Sequence, residues 1–110
     1  SLRVEYNRVD HYNSRSKLRV IVAPGQAQGG RLRVRFNEGY LRAMRIDHVV
    51  PEPERVEAAE DGIYFVFAAL ASESPTRLEF AVQPSEFGRI EGRIGLPGRP
   101  SARFTQFLFP

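Results

Sequence analysis

Apolar and polar residues alternate with a period of two along most of the chain. Arg31-Leu32-Arg33-Val34-Arg35-Phe36 alternates without a break, placing Leu32, Val34 and Phe36 on one face and three arginines on the other. Leu78, Phe80 and Val82 alternate in the same way with Arg77, Glu79, Ala81 and Gln83, and Ile90, Gly92 and Ile94 with Arg89, Glu91 and Arg93. Such runs predict strands with one face on a core and one in water, as in an antiparallel sheet. Shorter runs predict further strands: Leu2 to Val9 with Leu2, Val4 and Tyr6 on one side, Leu18 to Val22, Ile46 to Val50 with Ile46, His48 and Val50 on one face, and Arg55 to Ala59 around Val56.

Two segments depart from the simple alternation. Ile63 to Ala69 is apolar on both sides and reads as a central strand covered on both faces, or on one face plus a neighbouring domain. Ala102 to Phe109 loses its alternation between Phe104 and Phe107, which predicts a bulge near Thr105 and Gln106. Turn residues separate the runs: Pro24-Gly25, Gly29-Gly30, Asn37-Glu38-Gly39, Pro51-Glu52-Pro53, Asp61-Gly62, Ser74-Pro75, Pro84 and Pro97-Gly98. Helix signals reduce to a single turn around Tyr40, Leu41 and Met44.

Strand starts about every ten residues mark a sandwich or barrel. Uneven strand lengths and Pro51-Glu52-Pro53, which belongs at an edge or a crossover because proline cannot donate to a ladder, favour two open sheets. The expectation is an all-β, antiparallel, Ig-like β-sandwich of about seven to nine strands, one domain over residues 1–110 and a fragment of a longer chain.

Composition narrows the function classes. With 110 residues there is room for one core. The absence of cysteine excludes a disulfide framework, a thiolate metal site and a cysteine nucleophile. Fifteen of the sixteen basic residues are arginine, as a GC-rich genome would produce, and thirteen carboxylates reduce the net charge to +3. No stretch is long and apolar enough to span a bilayer, and no leader-like segment opens the chain.

Candidate chemistry is sparse. His11 and His48 each follow an aspartate, and neighbours on a strand point to opposite faces, so neither Asp-His pair forms a site by itself. No metal-ligand spacing, nucleophile elbow or glycine-rich phosphate loop occurs. Ser14, Ser16, Ser72, Ser74, Ser85 and Ser101 fall in loop-like contexts, and Glu52, Glu54, Glu57, Glu60 and Asp61 read as a solvated acidic edge. No catalytic residue, metal or cofactor is expected.

Two surfaces remain as candidates. Arg31, Arg33 and Arg35 project from one side of a strand, and Lys17 and Arg19 are candidates for the same sheet. Together they offer an anion-binding face for nucleic acid or acidic lipid. The apolar C-terminal run with Phe104, Phe107 and Phe109 carries more hydrophobic surface than one buried face requires, and is the candidate patch for a protein partner.

The order of features resembles the Ig-like or fibronectin-III-like domains of bacterial membrane-anchored proteins of uncharacterised function. The residues that carry the resemblance are Tyr40-Leu41 leading to Ile46 and Pro51-Glu52-Pro53, then Gly62-Ile63-Tyr64-Phe65-Val66-Phe67. Pro84, Gly88 and Gly92 follow, before a final strand ending in Phe107-Leu108-Phe109-Pro110. The Cys-Trp-Cys signature of antibody-type domains is missing. The resemblance implies a non-catalytic extracytoplasmic module, anchored through a segment outside this chain and used for protein–protein interaction or positioning. An anion-binding β-domain, cytoplasmic or not, and an accessory domain of a larger enzyme are the alternatives. Oligomeric state is left open.

Overall fold

The computed structural model describes residues 2–69 and 73–110. Ten strands and one short helix follow in order: β1 (Leu2–Glu5), β2 (Val9–His11), β3 (Ser16–Val22), β4 (Arg31–Asn37), α1 (Glu38–Ala43), β5 (Met44–Val50), β6 (Arg55–Ala59), β7 (Gly62–Ala68), β8 (Thr76–Pro84), β9 (Gly88–Gly95) and β10 (Ala102–Phe109). They form a β-sandwich of a four-stranded sheet, β1-β3-β8-β5, and a six-stranded sheet, β2-β10-β9-β4-β7-β6. Every pairing is antiparallel except that of β10 with β2.

The long alternating runs bury the residues their pattern selects. Leu18, Val20 and Val22 of β3 with Leu78, Phe80 and Val82 of β8 face Leu32, Val34 and Phe36 of β4, and all nine are buried. Three rings join the layers at the centre. Phe36 lies 4.8 Å from Phe80 and 5.3 Å from Phe65, and Phe65 lies 5.4 Å from Phe80. Tilted and edge-on contacts at these spacings add aromatic attraction to the burial of area.

The strand count exceeds the expected range partly because Leu2 to Val9 is not one strand. The chain leaves the four-stranded sheet after Glu5 and enters the six-stranded sheet at Val9. Tyr6 anchors the crossing on Phe104, with ring centroids 4.7 Å apart. Gln106 secures it further, its Nε2 donating to the backbone oxygen of Asn7 at 2.6 Å. The expected bulge at Thr105–Gln106 is absent: β10 stays in register with β9 from Ala102–Ile94 to Leu108–Gly88. Gln106 holds an inward position at 2% exposure, so the interrupted apolar pattern reflects a polar residue that finds its partner inside.

The irregularity lies instead in β5, where register shifts between Ile46 and His48. Val49 therefore packs on the core in place of His48, and Ile46, His48 and Val50 do not share a face. A cis bond joins Val50 to Pro51, and the proline segment carries the chain from the edge of one sheet (β5) to the edge of the other (β6). Ser16, read as a loop residue, opens β3, and Ser72 lies outside the described residues.

Two outward-facing aliphatic residues are nevertheless buried. Val66 is flanked across the ladder by Arg33 and Arg55, and Ile21 by Arg3 and Arg77. The methylene stems of paired arginines can cover such residues while the guanidinium groups stay in water. This explains how Ile63 to Ala69 is apolar on both sides with only one sheet behind it.

Candidate functional site

The arginine stripe does not form one face with Arg19. Arg31, Arg33 and Arg35 stand on β4 of the six-stranded sheet, whereas Lys17 and Arg19 stand on β3 of the other, where Glu79 sits 3.2 Å from Lys17 Nζ and 3.3 Å from Arg19 Nε. Three of the acidic residues read as a solvated edge, Glu54, Glu57 and Asp61, supply counter-ions. Arg31 Nε lies 2.6 Å from Glu54, Arg33 Nε 3.1 Å from Glu57, and Arg93 Nη2 2.8 Å from Asp61. Glu57 also accepts from Arg55 at 2.8 Å. Hydrogen bonds from Arg33 and then Arg55 hold the Glu57 carboxyl below its ordinary value, and Lys17, with a smaller share from Arg19, does the same for Glu79. Arg35 differs, since its partner is the hydroxyl of Ser101, 3.3 Å from Nη2.

The three candidate phenylalanines separate. Phe104 points inward and is 6% exposed, packed between Tyr6 and Tyr40. Phe107 and Phe109 point outward from the same strand and are each 48% exposed. The parallel pairing of β10 with β2 sets Phe107 beside Val9 and Phe109 beside His11, with the His11 and Phe109 rings 6.3 Å apart. Tyr12, whose backbone N–H donates to the Phe109 carbonyl, stacks edge-on against Phe87 at 4.9 Å. Phe87, the most exposed of the group at 59%, lies in the loop before β9.

Val9, Tyr12, Phe87, Phe107 and Phe109 thus gather at one corner of the sandwich. Sequence reasoning found the two phenylalanines of β10 and missed the other three. Nothing local marks Val9, Tyr12 or Phe87 as neighbours, because the parallel pairing of the two ends of the chain brings them together.

Polar groups converge at the same end. Asn7 Nδ2 donates to Ser16 Oγ at 2.9 Å and to Asp10 Oδ1 at 3.3 Å, and Asp10 is 8% exposed. The Tyr40 hydroxyl is buried beside this cluster without a hydrogen-bond partner among the described residues. Burial, and secondarily the charge of Asp10, pushes its pKa far up, so Tyr40 stays protonated. This arrangement serves the packing of the crossing.

His11 and His48 lie on different sheets, and no three His, Cys, Asp or Glu side chains converge as a metal site among the described residues. A groove of about 530 Å³ opens between β5 and β7, lined by Met44, Ile46, Val49, Ile63 and Phe65 together with the polar Asp47, His48 and Glu52. The register shift in β5 and the proline that follows it disfavour the addition of a strand there.

No family model and no curated protein matches the chain. Among solved structures it is similar to a cohesin module from a family 33 glycoside hydrolase of Clostridium perfringens ATCC13124. The TM-score is 0.65 at 9% identity, over 98% of this chain and 95% of that one. The likeness is one of fold: both are β-sandwiches.

Proposed function

We propose that this domain is a non-catalytic interaction module that holds a protein partner at the aromatic corner of β2, β10 and the loop before β9. The observation that carries this reading is the clustering of Val9, Tyr12, Phe87, Phe107 and Phe109, all close to half exposed or more. Contiguous apolar surface of this kind is costly in water and marks association surfaces. Aromatic side chains are also the residues that anchor protein interfaces. The fold likeness to a cohesin module supports a modular role, and that module's place in a glycoside hydrolase supports an accessory position beside a larger enzyme. An extracytoplasmic setting, with the anchor in the parent chain, belongs to the same reading and rests on the resemblance to membrane-anchored bacterial domains.

Site-specific photocrosslinking in the cells that make the parent protein tests the reading. A photoreactive phenylalanine at Phe87 or Phe107 should give discrete protein adducts, while the same group at Arg77 on the opposite sheet should not. Adducts that are equally frequent at Arg77, or absent at both corner positions, would remove the aromatic corner as an interface.

A further inference from the structure

We propose that Ser101 marks a binding site for a tetrahedral oxyanion, a phosphate or sulfate group. Arg35, Arg99 and Arg103 would hold it beside a notch made by Gly95. The proposal is independent of the aromatic corner.

Arg35, Gly95 and Ser101 form one outward-facing row. Arg35 pairs with Gly95 across β4 and β9, and the Ala102–Ile94 register brings Ser101 opposite Gly95. Glycine is required for this approach, because a Cβ at Gly95 would stand 2.7 Å from Ser101 Oγ and 3.1 Å from Ser101 Cα. The missing side chain leaves room for Arg35 to reach across β9 and donate to Ser101 Oγ at 3.3 Å. A depression of about 300 Å³ adjoins the row, walled by Gly95, Arg99 and Ser101 together with Leu2, Leu96 and Pro100, while Arg35 and Arg103 stand outside it.

The charges around this row are unbalanced. Arg31 and Arg33, on the same strand as Arg35, each hold a carboxylate. Arg35 is half-buried between the uncharged partners Tyr64 and Gly95, and its one side-chain hydrogen bond among the described residues goes to a neutral hydroxyl. Arg99 and Arg103, two residues to either side of Ser101, hold no carboxylate among the described residues. Arg103 stands directly opposite Arg93, a cross-strand pair of like charges that is unfavourable by itself. Asp61 engages Arg93 and leaves Arg103 unbalanced. The nearest carboxylate on this face of β9 is Glu91, four residues from Gly95 and so roughly 13 Å away at strand spacing.

A guanidinium group presents five N–H donors, and Arg35 spends one of them on Ser101. The Ser101 hydroxyl, accepting from Arg35, keeps its own proton to donate. The Arg35 guanidinium and the Ser101 hydroxyl, with Arg99 and Arg103 two residues away on either side of Ser101, suit an acceptor with oxygens in several directions. A tetrahedral group offers this and a planar carboxylate does not.

The test is a titration of the ¹⁵N-labelled protein with sodium phosphate, sodium sulfate and sodium acetate at constant ionic strength, followed by two-dimensional NMR. Phosphate and sulfate should shift the Gly95, Ser101 and Arg103 amide signals saturably, and acetate should not. The tighter of the two identifies the natural group as a phosphate or a sulfate ester. Arg35→Gln should weaken binding at least about tenfold, the loss expected for one charge-assisted hydrogen bond. Arg99→Gln serves the same purpose if the first variant fails to fold, and Arg77→Gln on the other sheet should leave affinity unchanged. Shifts that do not saturate, that acetate reproduces, or that Arg77→Gln diminishes equally would overturn the proposal.

Discussion

Phe104 occupies the space that a side chain at its cross-strand partner Gly92 would need: a Cβ there would stand 2.2 Å from the ring's Cζ. Tyr6 and Tyr40 hold the ring on other sides at 4.7 and 5.5 Å, so it has little room to yield. Gly92→Ala should therefore cost about 1–3 kcal/mol of unfolding free energy, the range for overpacking a filled core. Urea denaturation measures this, and Phe104→Leu in the same background should recover part of the loss. Strict additivity of the two substitutions would disprove the steric coupling.

Gly62 opens β7 at φ 146°, where a Cβ would stand 1.8 Å from the Phe36 carbonyl oxygen. Both the conformation and the clash with backbone oppose a side chain. Gly62→Ala should lose at least about 2 kcal/mol, more than Gly25→Ala, which shares a positive φ but points into open space. Equal thermal midpoints for the two variants would contradict the close approach of β4 and β7 at this corner.

The lowered pKa of Glu57 makes stability depend on acid in a definite direction. Its carboxylate is held below the ordinary 4.5 first by the hydrogen bond from Arg33 and then by that from Arg55. The stabilisation is therefore fully present above pH 4.5 and is lost as pH falls through the lower folded-state value. Glu57→Gln should narrow the stability difference between neutral and acidic solution, as should Glu79→Gln, whose carboxylate Lys17 and Arg19 hold down. Solvent reaches both carboxylates, so added salt should reduce the effect. Parallel pH profiles for wild type and variants would exclude these contacts in solution.

Phe107→Asp should leave stability within about 0.5 kcal/mol, as for other exposed positions, while reducing the binding of an apolar fluorescent dye. Phe104→Asp should unfold the domain, since it places a carboxylate among Tyr6, Tyr40 and Gly92. Circular dichroism and dye fluorescence on the two variants separate the outward and inward members of a run that looks uniform along the chain.

The division between legible and hidden follows the range of the interactions. Alternation in β3, β4, β8 and β9 identified the buried face of each, because a strand's side chains alternate whatever its neighbours do. A residue that broke alternation was harder to place. Gln106 looked like a bulge because its partner, the Asn7 carbonyl, lies almost the whole chain away. Asp47–His48, where register does shift, showed no local sign of it.

The candidate surfaces were legible only in part for the same reason. Sequence supplied Arg31, Arg33 and Arg35 as a stripe, but their partners come from β6, the loop before it and the chain beyond β9. Only the assembled sheet distinguishes Arg35, beside a hydroxyl, from Arg31 and Arg33, beside carboxylates. The C-terminal phenylalanines were visible as surplus apolar surface, whereas their joining with Val9, Tyr12 and Phe87 required β2 to lie along β10.

The sequence by itself determined an all-β sandwich, most of its turn positions and most of its core, since period-two burial and proline or glycine breaks act within a few residues. Tertiary structure alone decided which strands share a sheet, which arginines are neutralised and which aromatic residues meet at the surface. Those outcomes depend on pairing between segments distant in the chain, and residue type and spacing do not encode that pairing locally.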